Sequence, residues 1–137
     1  WSYDASVIDA GIDQMTANGK SSISGGFEAA GLLFADARPG ATKVVLLIID
    51  GEQKREFAVD GKTPLQTAID AAVLVKETGV TVFAWGFFNA EEETLIQIAT
   101  DSSKAIKADD VGQLSDYLDG LKADLCECSP PLPPPPP

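Results

Sequence analysis

The stretch Lys43–Glu52, KVVLLIIDGE, constrains this chain more than any other. Its apolar residues follow one another without a polar interruption, and the run stops abruptly at Asp50-Gly51. A run with no alternation predicts a strand over 43–50 that is buried on both faces, as in the middle of a parallel sheet. A carboxylate at the carboxyl end of such a strand sits where open α/β sheets bind their ligands. Gly51 lets the backbone turn away without steric cost. The same residues also suit a plain strand followed by an Asp-Gly turn.

The flanking segments predict helices and further strands. Val7, Ile8, Gly11, Ile12 and Met15 recur at helical spacing over residues 4–17, with Asp4 as N-cap and Asn18-Gly19 as stop. A polar loop, Lys20–Gly26, leads to a second helix carried by Phe27, Ala30, Gly31 and Phe34 and ended by Arg38-Pro39-Gly40. Residues 51–63 read as a loop with a short extended piece at Glu56–Val59. Thr63-Pro64 opens a helix whose packing face is Ala68, Ala71, Ala72 and Val75, closed by Gly79. Val80–Trp85 is a second buried strand, residues 91–100 a helix with acids in its first turn, and Lys104–Lys107 a short strand. A last helix, from about Asp110 to Leu125, carries Leu114, Tyr117, Leu118, Leu121 and Leu125 on its apolar face.

Alternation of this kind implies an α/β fold, a doubly wound, Rossmann-like parallel sheet with helices on both faces. Only three strands are evident, and two helices precede the first of them. A three-stranded parallel sheet leaves an apolar edge open, so N-terminal strands are expected to be missing or supplied from elsewhere.

Composition narrows the chemistry. The chain holds no histidine, which removes Ser-His-Asp and Cys-His catalysis, histidine metal ligands and the usual general base near neutral pH. An enzyme is therefore not expected. A net charge of −11 argues against nucleic acid or an anionic membrane and permits a cation or a basic partner. No apolar stretch is long enough to span a bilayer. Gly19-Lys20-Ser21 lacks both the earlier glycine and the preceding strand of a phosphate-binding loop. Glu91, Glu92 and Glu93 form either a cation patch or, more simply, a solvated helix start. Phe83 reads as core, and Trp85, Phe87 and Phe88 as core or a partner surface.

Cys126 and Cys128 are separated only by Glu127, too close to pair without strain. They either bridge to cysteines elsewhere, in an oxidising compartment, or are inert thiols. Residues 129–137, SPPLPPPPP, change composition completely and predict a polyproline II stalk or linker beside a domain at 1–128. This segment suits a ligand for a polyproline-recognising module, an arm of a hydroxyproline-rich glycoprotein, or a passive connection.

Three segments together carry a family resemblance: GKSSISGGFEAA at 19–30, KVVLLIIDGE at 43–52 and GVTVFAWGFFNAEEETLIQIATD at 79–101. Their order, followed by the helix ending LSDYLDGLKADLC, resembles the C-terminal two-thirds of the von Willebrand factor type A domain. That resemblance implies a six-stranded doubly wound sheet with a metal-ion-dependent adhesion site at its carboxyl edge. The family builds this site from a DxSxS motif, a loop threonine and an aspartate after a later strand, usually around Mg²⁺. Asp50 matches that aspartate and Ser21 the threonine, with Ser22 as the alternative. No DxSxS occurs; Asp4-Ala5-Ser6 lacks the second serine and precedes a helix. By family order the motif would lie upstream of Trp1, leaving the Mg²⁺ site incomplete in this chain.

The tail, Ser129-Pro130-Pro131 and then Pro133 and Pro134 within a proline run, resembles the extensin-type sequences of plant and green-algal walls, where serine and proline are modified. The resulting expectation is an extracellular adhesion or assembly module, at a cell wall or cell surface, making protein–protein contacts through an acidic side chain of the partner and a bridging divalent cation. The alternative is a structural building block of a wall, matrix or surface-appendage glycoprotein with a vestigial metal site.

Overall fold

The apolar runs at 44–49 and 81–86 pair in parallel, in register from Val44 opposite Thr81 to Ile49 opposite Gly86. In this computed structural model, which describes residues 1–126, the order is α1 (Ala5–Asp13), α2 (Ile23–Ala35), β1 (Val44–Ile49), α3 (Pro64–Glu77), β2 (Thr81–Gly86), α4 (Glu92–Ile98), β3 (Ala105–Lys107) and α5 (Leu114–Cys126). Among the described residues the sheet has three strands in the order β1-β2-β3, all parallel. The α/β doubly wound architecture read from the sequence is the architecture observed.

Local chemistry sets the helix starts. Asp4 accepts from the backbone N–H of Ser6 at 2.9 Å, and Ser22 accepts from that of Gly25 at 3.2 Å. Thr63 accepts from that of Gln66 at 3.0 Å, with Pro64 at the first position of α3, where no N–H is needed. Gly79 ends the α3 turn at φ +83°, a left-handed conformation that a β-carbon would strain.

β2 is the buried centre of the sheet. On one face Val82 and Ala84 meet Ile23 and Phe27 of α2, Ala68, Ala72 and Val75 of α3, and Leu95 and Ile98 of α4. Burying each of the larger side chains contributes about 1.5–3 kcal/mol. On the other face Phe83 lies under the Lys104 ammonium (5.7 Å), and Trp85 meets Tyr117 of α5 (6.0 Å between centroids). Helices therefore cover both faces. Gly86 ends β2 where α4 crosses closely: a β-carbon there would come within 2.6 Å of Ala90 and 2.7 Å of Leu95.

Four expectations need correction. β1 is not buried on both faces: its residues are half-buried and Ile48 is 48% exposed. Among the described residues it is an edge strand, hydrogen-bonded to β2 alone, so its apolar sequence reports what it can bury and not what covers it. α1 is shorter than 4–17 and buries no residue, leaving Val7, Ile8, Ile12 and Met15 exposed. The loop at 20–26 ends earlier than expected, because Ser22 caps a helix that already starts at Ile23. Residues 55–57 form a 3-10 turn, not an extended piece. No helix among the described residues is long and apolar enough to cross a membrane.

Candidate functional site

The carboxyl end of β1 opens onto a cleft of about 460 Å³, lined by Ser21, Ser22, Asp50, Phe87, Phe88 and Val111 among others. Asp50 follows the last residue of β1 and is exposed. The strand delivers it there because the backbone carbonyl of Ile49 accepts from Phe87 N–H (2.9 Å) and that of Asp50 from Asn89 N–H (3.2 Å). These bonds tie the exits of β1 and β2 together. The ion pairs among the described residues are Lys20–Glu56, Lys62–Asp70 and Lys104–Asp101, so none of them engages the Asp50 carboxylate.

Ser21 reaches the same cleft from the loop before α2. Its carbonyl accepts from Lys54 N–H at 3.1 Å. Buried Gln53 reinforces this join, accepting from Ser24 N–H at 2.7 Å and donating to the Phe57 carbonyl at 3.2 Å. A buried amide with both ends satisfied is a rigid clamp. The exposed Lys20–Glu56 pair across the same two loops contributes little. Ser21 and Asp50, 29 positions apart in sequence, thus line one cavity. Ser22, the alternative hydroxyl, is committed to capping α2 through Gly25.

Sequence reasoning missed three supporting residues. Gln53 is one. Glu52 is another: its two carboxylate oxygens accept from Glu91 N–H (3.0 Å) and Thr94 Oγ1 (3.1 Å), so it satisfies the start of α4 from the strand exit. Lys107 is the third, donating to the carbonyls of Phe88 (2.6 Å) and Ala90 and holding the loop after β2. That loop presents Phe88 to solvent, 63% exposed, while Phe83 and Phe87 are buried. Phe88 has φ +47°, a left-handed conformation uncommon outside glycine. Phe87 and Phe88 are adjacent and identical in chemistry, so the sequence does not say which is buried, and the backbone reveals that it is Phe88 that faces solvent.

Ser21 and Asp50, whose side chains are oxygen donors of the hard type favoured by Mg²⁺, therefore line the same cleft. No group of three or more carboxylate, cysteine or histidine side chains able to hold a metal occurs among the described residues. The donor set fits part of such a site. Cys126 is the last residue of α5; Cys128, Ser129, Pro130, Pro131, Pro133 and Pro134 lie outside the described residues.

An open parallel sheet with helices on both faces and a largely apolar cleft at its carboxyl edge, bordered by Ser21 and Asp50, defines an α/β domain of the doubly wound class. Residues 4–120 match the von Willebrand factor type A domain, and the chain belongs to that family. It is 34% identical over 94 residues to the collagen alpha-1(XII) chain of Oryctolagus cuniculus, covering 67% of this chain and 13% of that one. Among solved structures it is similar to proximal thread matrix protein 1 from the mussel byssus, with a TM-score of 0.69 and 25% identity over 88% of this chain and 29% of that chain. The same byssus protein has also been solved with a zinc-occupied metal-ion-dependent adhesion motif (TM-score 0.67, 25% identity, 85% and 28% covered). The pilus adhesin SpaC from Lactobacillus rhamnosus GG shares the fold, with a TM-score of 0.72 at 14% identity over 89% of this chain and 21% of that one. The chain thus spans less than a third of each of these relatives.

Proposed function

We propose that this domain is a non-catalytic, extracellular adhesion or assembly module that contacts a protein partner at the carboxyl edge of its sheet. The observation that supports this reading is that Ser21 and Asp50 line one cleft, next to loops joined by Gln53. Family membership supports it, as does likeness to a byssus matrix protein whose adhesion motif takes zinc.

In this reading Ser21 and Asp50 supply two of the oxygens around a divalent cation, Mg²⁺ in the first instance, directly or through water. Further ligands come from outside the described residues. When bound, the cation supplies a positive coordination position for a partner's carboxylate. The chain's charge of −11 makes such a bridge physically useful, because an acidic partner would otherwise be repelled. Phe88, exposed at the rim of the cleft, adds an aromatic contact of the kind that dominates interfaces. The free edge of β1 accepts further strands, from the same polypeptide or another. Residues 1–128 form the module, and 129–137 a proline arm joining it to a larger wall, matrix or appendage glycoprotein, with Cys126 and Cys128 available for cross-links.

The test is retention on a poly-glutamate surface in Mg²⁺ compared with EDTA. Native protein is expected to be retained only with Mg²⁺, and Asp50→Ala not to be retained although it folds normally. Retention that ignores both EDTA and the substitution would show that cation bridging is wrong and favour a structural block with a vestigial site.

A further inference from the structure

α2 and α3 pack side by side on one face of the sheet. A groove of about 310 Å³ runs between them, bordered by Phe27, Glu28 and Gly31 of α2, Leu74 and Val75 of α3, and Val59 of the loop before α3. It shares no lining residue with the carboxyl-edge cleft. Its floor is core, with Phe27 2% and Val75 6% exposed, but its apolar lip faces water, with Leu74 66% and Val59 55% exposed. That lip is fixed. The Val59 N–H donates to the Thr67 hydroxyl at 3.1 Å, and this hydroxyl donates in turn to the Thr63 carbonyl at 3.0 Å. A groove ordered in advance costs little to fill.

Gly31 keeps the groove open. It lies inside α2 with no positive φ, and a β-carbon there would meet nothing nearer than Val75 at 3.9 Å, an ordinary contact. Neither conformation nor close packing calls for glycine at this position, where it weakens the helix relative to alanine. The space it leaves is the groove.

Three charged side chains border that space. Lys62 and Asp70 answer each other at 2.6 Å, and Asp70 also accepts from Gln66 Nε2 at 2.7 Å. The bond from Lys62, and then that from Gln66, hold the Asp70 carboxyl below the usual carboxylate range. The third is Glu28, which takes part in no ion pair among the described residues. An apolar slot with one unanswered carboxylate selects its occupant. An acidic group would be repelled, in a chain of net charge −11. A purely aliphatic group would strip water from Glu28 and return no counter-charge. An arginine or lysine side chain meets both demands, because its stem is apolar and its head is cationic. At about 310 Å³ the groove lies at the small end of ligand pockets, the scale of a side chain and not of a whole helix.

We propose that the groove between α2 and α3 is a second protein-contact site, which takes an arginine or lysine side chain from a basic segment of another protein. The stem lies on Phe27, Leu74 and Val75, and the head is answered by Glu28. This contact needs no divalent cation and does not depend on Asp50.

The test is a titration of the isotope-labelled full chain with a capped peptide of alternating leucine and arginine, in EDTA and at about 0.15 M salt, where general charge attraction is screened. Saturable shifts are expected at the amides of Glu28, Gly31, Val59 and Leu74, unchanged in Asp50→Ala. Glu28→Gln keeps the shape and should weaken binding about fivefold. Gly31→Leu should fill the groove and abolish the shifts, with far-ultraviolet dichroism unchanged. Shifts spread over the whole acidic surface would overturn the proposal, as would equal affinity in native protein and Glu28→Gln. Equal shifts from the peptide with glutamate in place of arginine would overturn it too, by making the groove indifferent to charge.

Discussion

Gln53 Oε1 accepts a 2.7 Å hydrogen bond from the backbone N–H of Ser24, and this bond joins the loop that presents Ser21 to the loop that leaves Asp50. Because Gln53 is 5% exposed, neither partner has water as an alternative. Gln53→Ala strands the buried Ser24 N–H and removes the bond to the Phe57 carbonyl, and should cost about 1–3 kcal/mol. Chemical denaturation measures the loss, and faster exchange of the Ser24 amide locates it. An unchanged midpoint would mean that the two loops are held together by something else.

Gly86 is required by packing, not by a turn. A β-carbon there would fall 2.6 Å from Ala90 and 2.7 Å from Leu95, and Leu95 is fully buried against β2. Gly86→Ala should therefore destabilise the domain by about 1–3 kcal/mol through overpacking, lowering the thermal midpoint. Gly51→Ala, with open space around its β-carbon position, serves as the control that should change little.

Phe88 pairs an exposed ring with a left-handed backbone. Phe88→Gly should relieve that conformation and stabilise the fold by about 1 kcal/mol. The same change should weaken retention on the poly-glutamate surface if the ring contributes contact area. A loss of stability on introducing glycine would show that the ring packs in solution.

Asp101 is held at about 2, first by the hydrogen bond from Lys104 and then by that from Ser103. The folded value lies below the ordinary 3.8, so the protein gains stability from this carboxylate that is complete above about pH 3.8 and is lost as pH falls to about 2. An NMR titration of the Asp101 side chain should give a midpoint near 2, moving toward 3.8 in Lys104→Met. A native midpoint already at the ordinary value would refute the pairing.

Much of the fold was legible because its signals are local. The apolar runs at 44–49 and 81–86, Pro64 at a helix start and Gly79 at a helix end each state their conformation within a few residues. Asp50 and Ser21 were picked out by the order of the family's motifs, and both line the cleft at the carboxyl end of β1. The covering of β1 was not, since an unbroken apolar run gives a strand's capacity for burial and says nothing of which neighbours are present. α1 illustrates the same point: its helical spacing is real, yet no described element buries Val7 or Ile8. Gln53 and Glu52 were invisible for a different reason. Each is a polar residue in a loop, and their partners Ser24 and Glu91 lie 29 and 39 positions away with no periodicity linking them.

Whether Ser21 and Asp50 form the cation-facing part of a contact site can be read by adding trace Mn²⁺ to isotope-labelled protein and following which amide signals broaden. Ser21, Ser22 and Gly51 should broaden first, Mg²⁺ should reverse the effect, and Asp50→Ala should abolish it. Broadening centred on Glu91–Glu93, or broadening at Ser21 that persists in Asp50→Ala, would place the cation elsewhere.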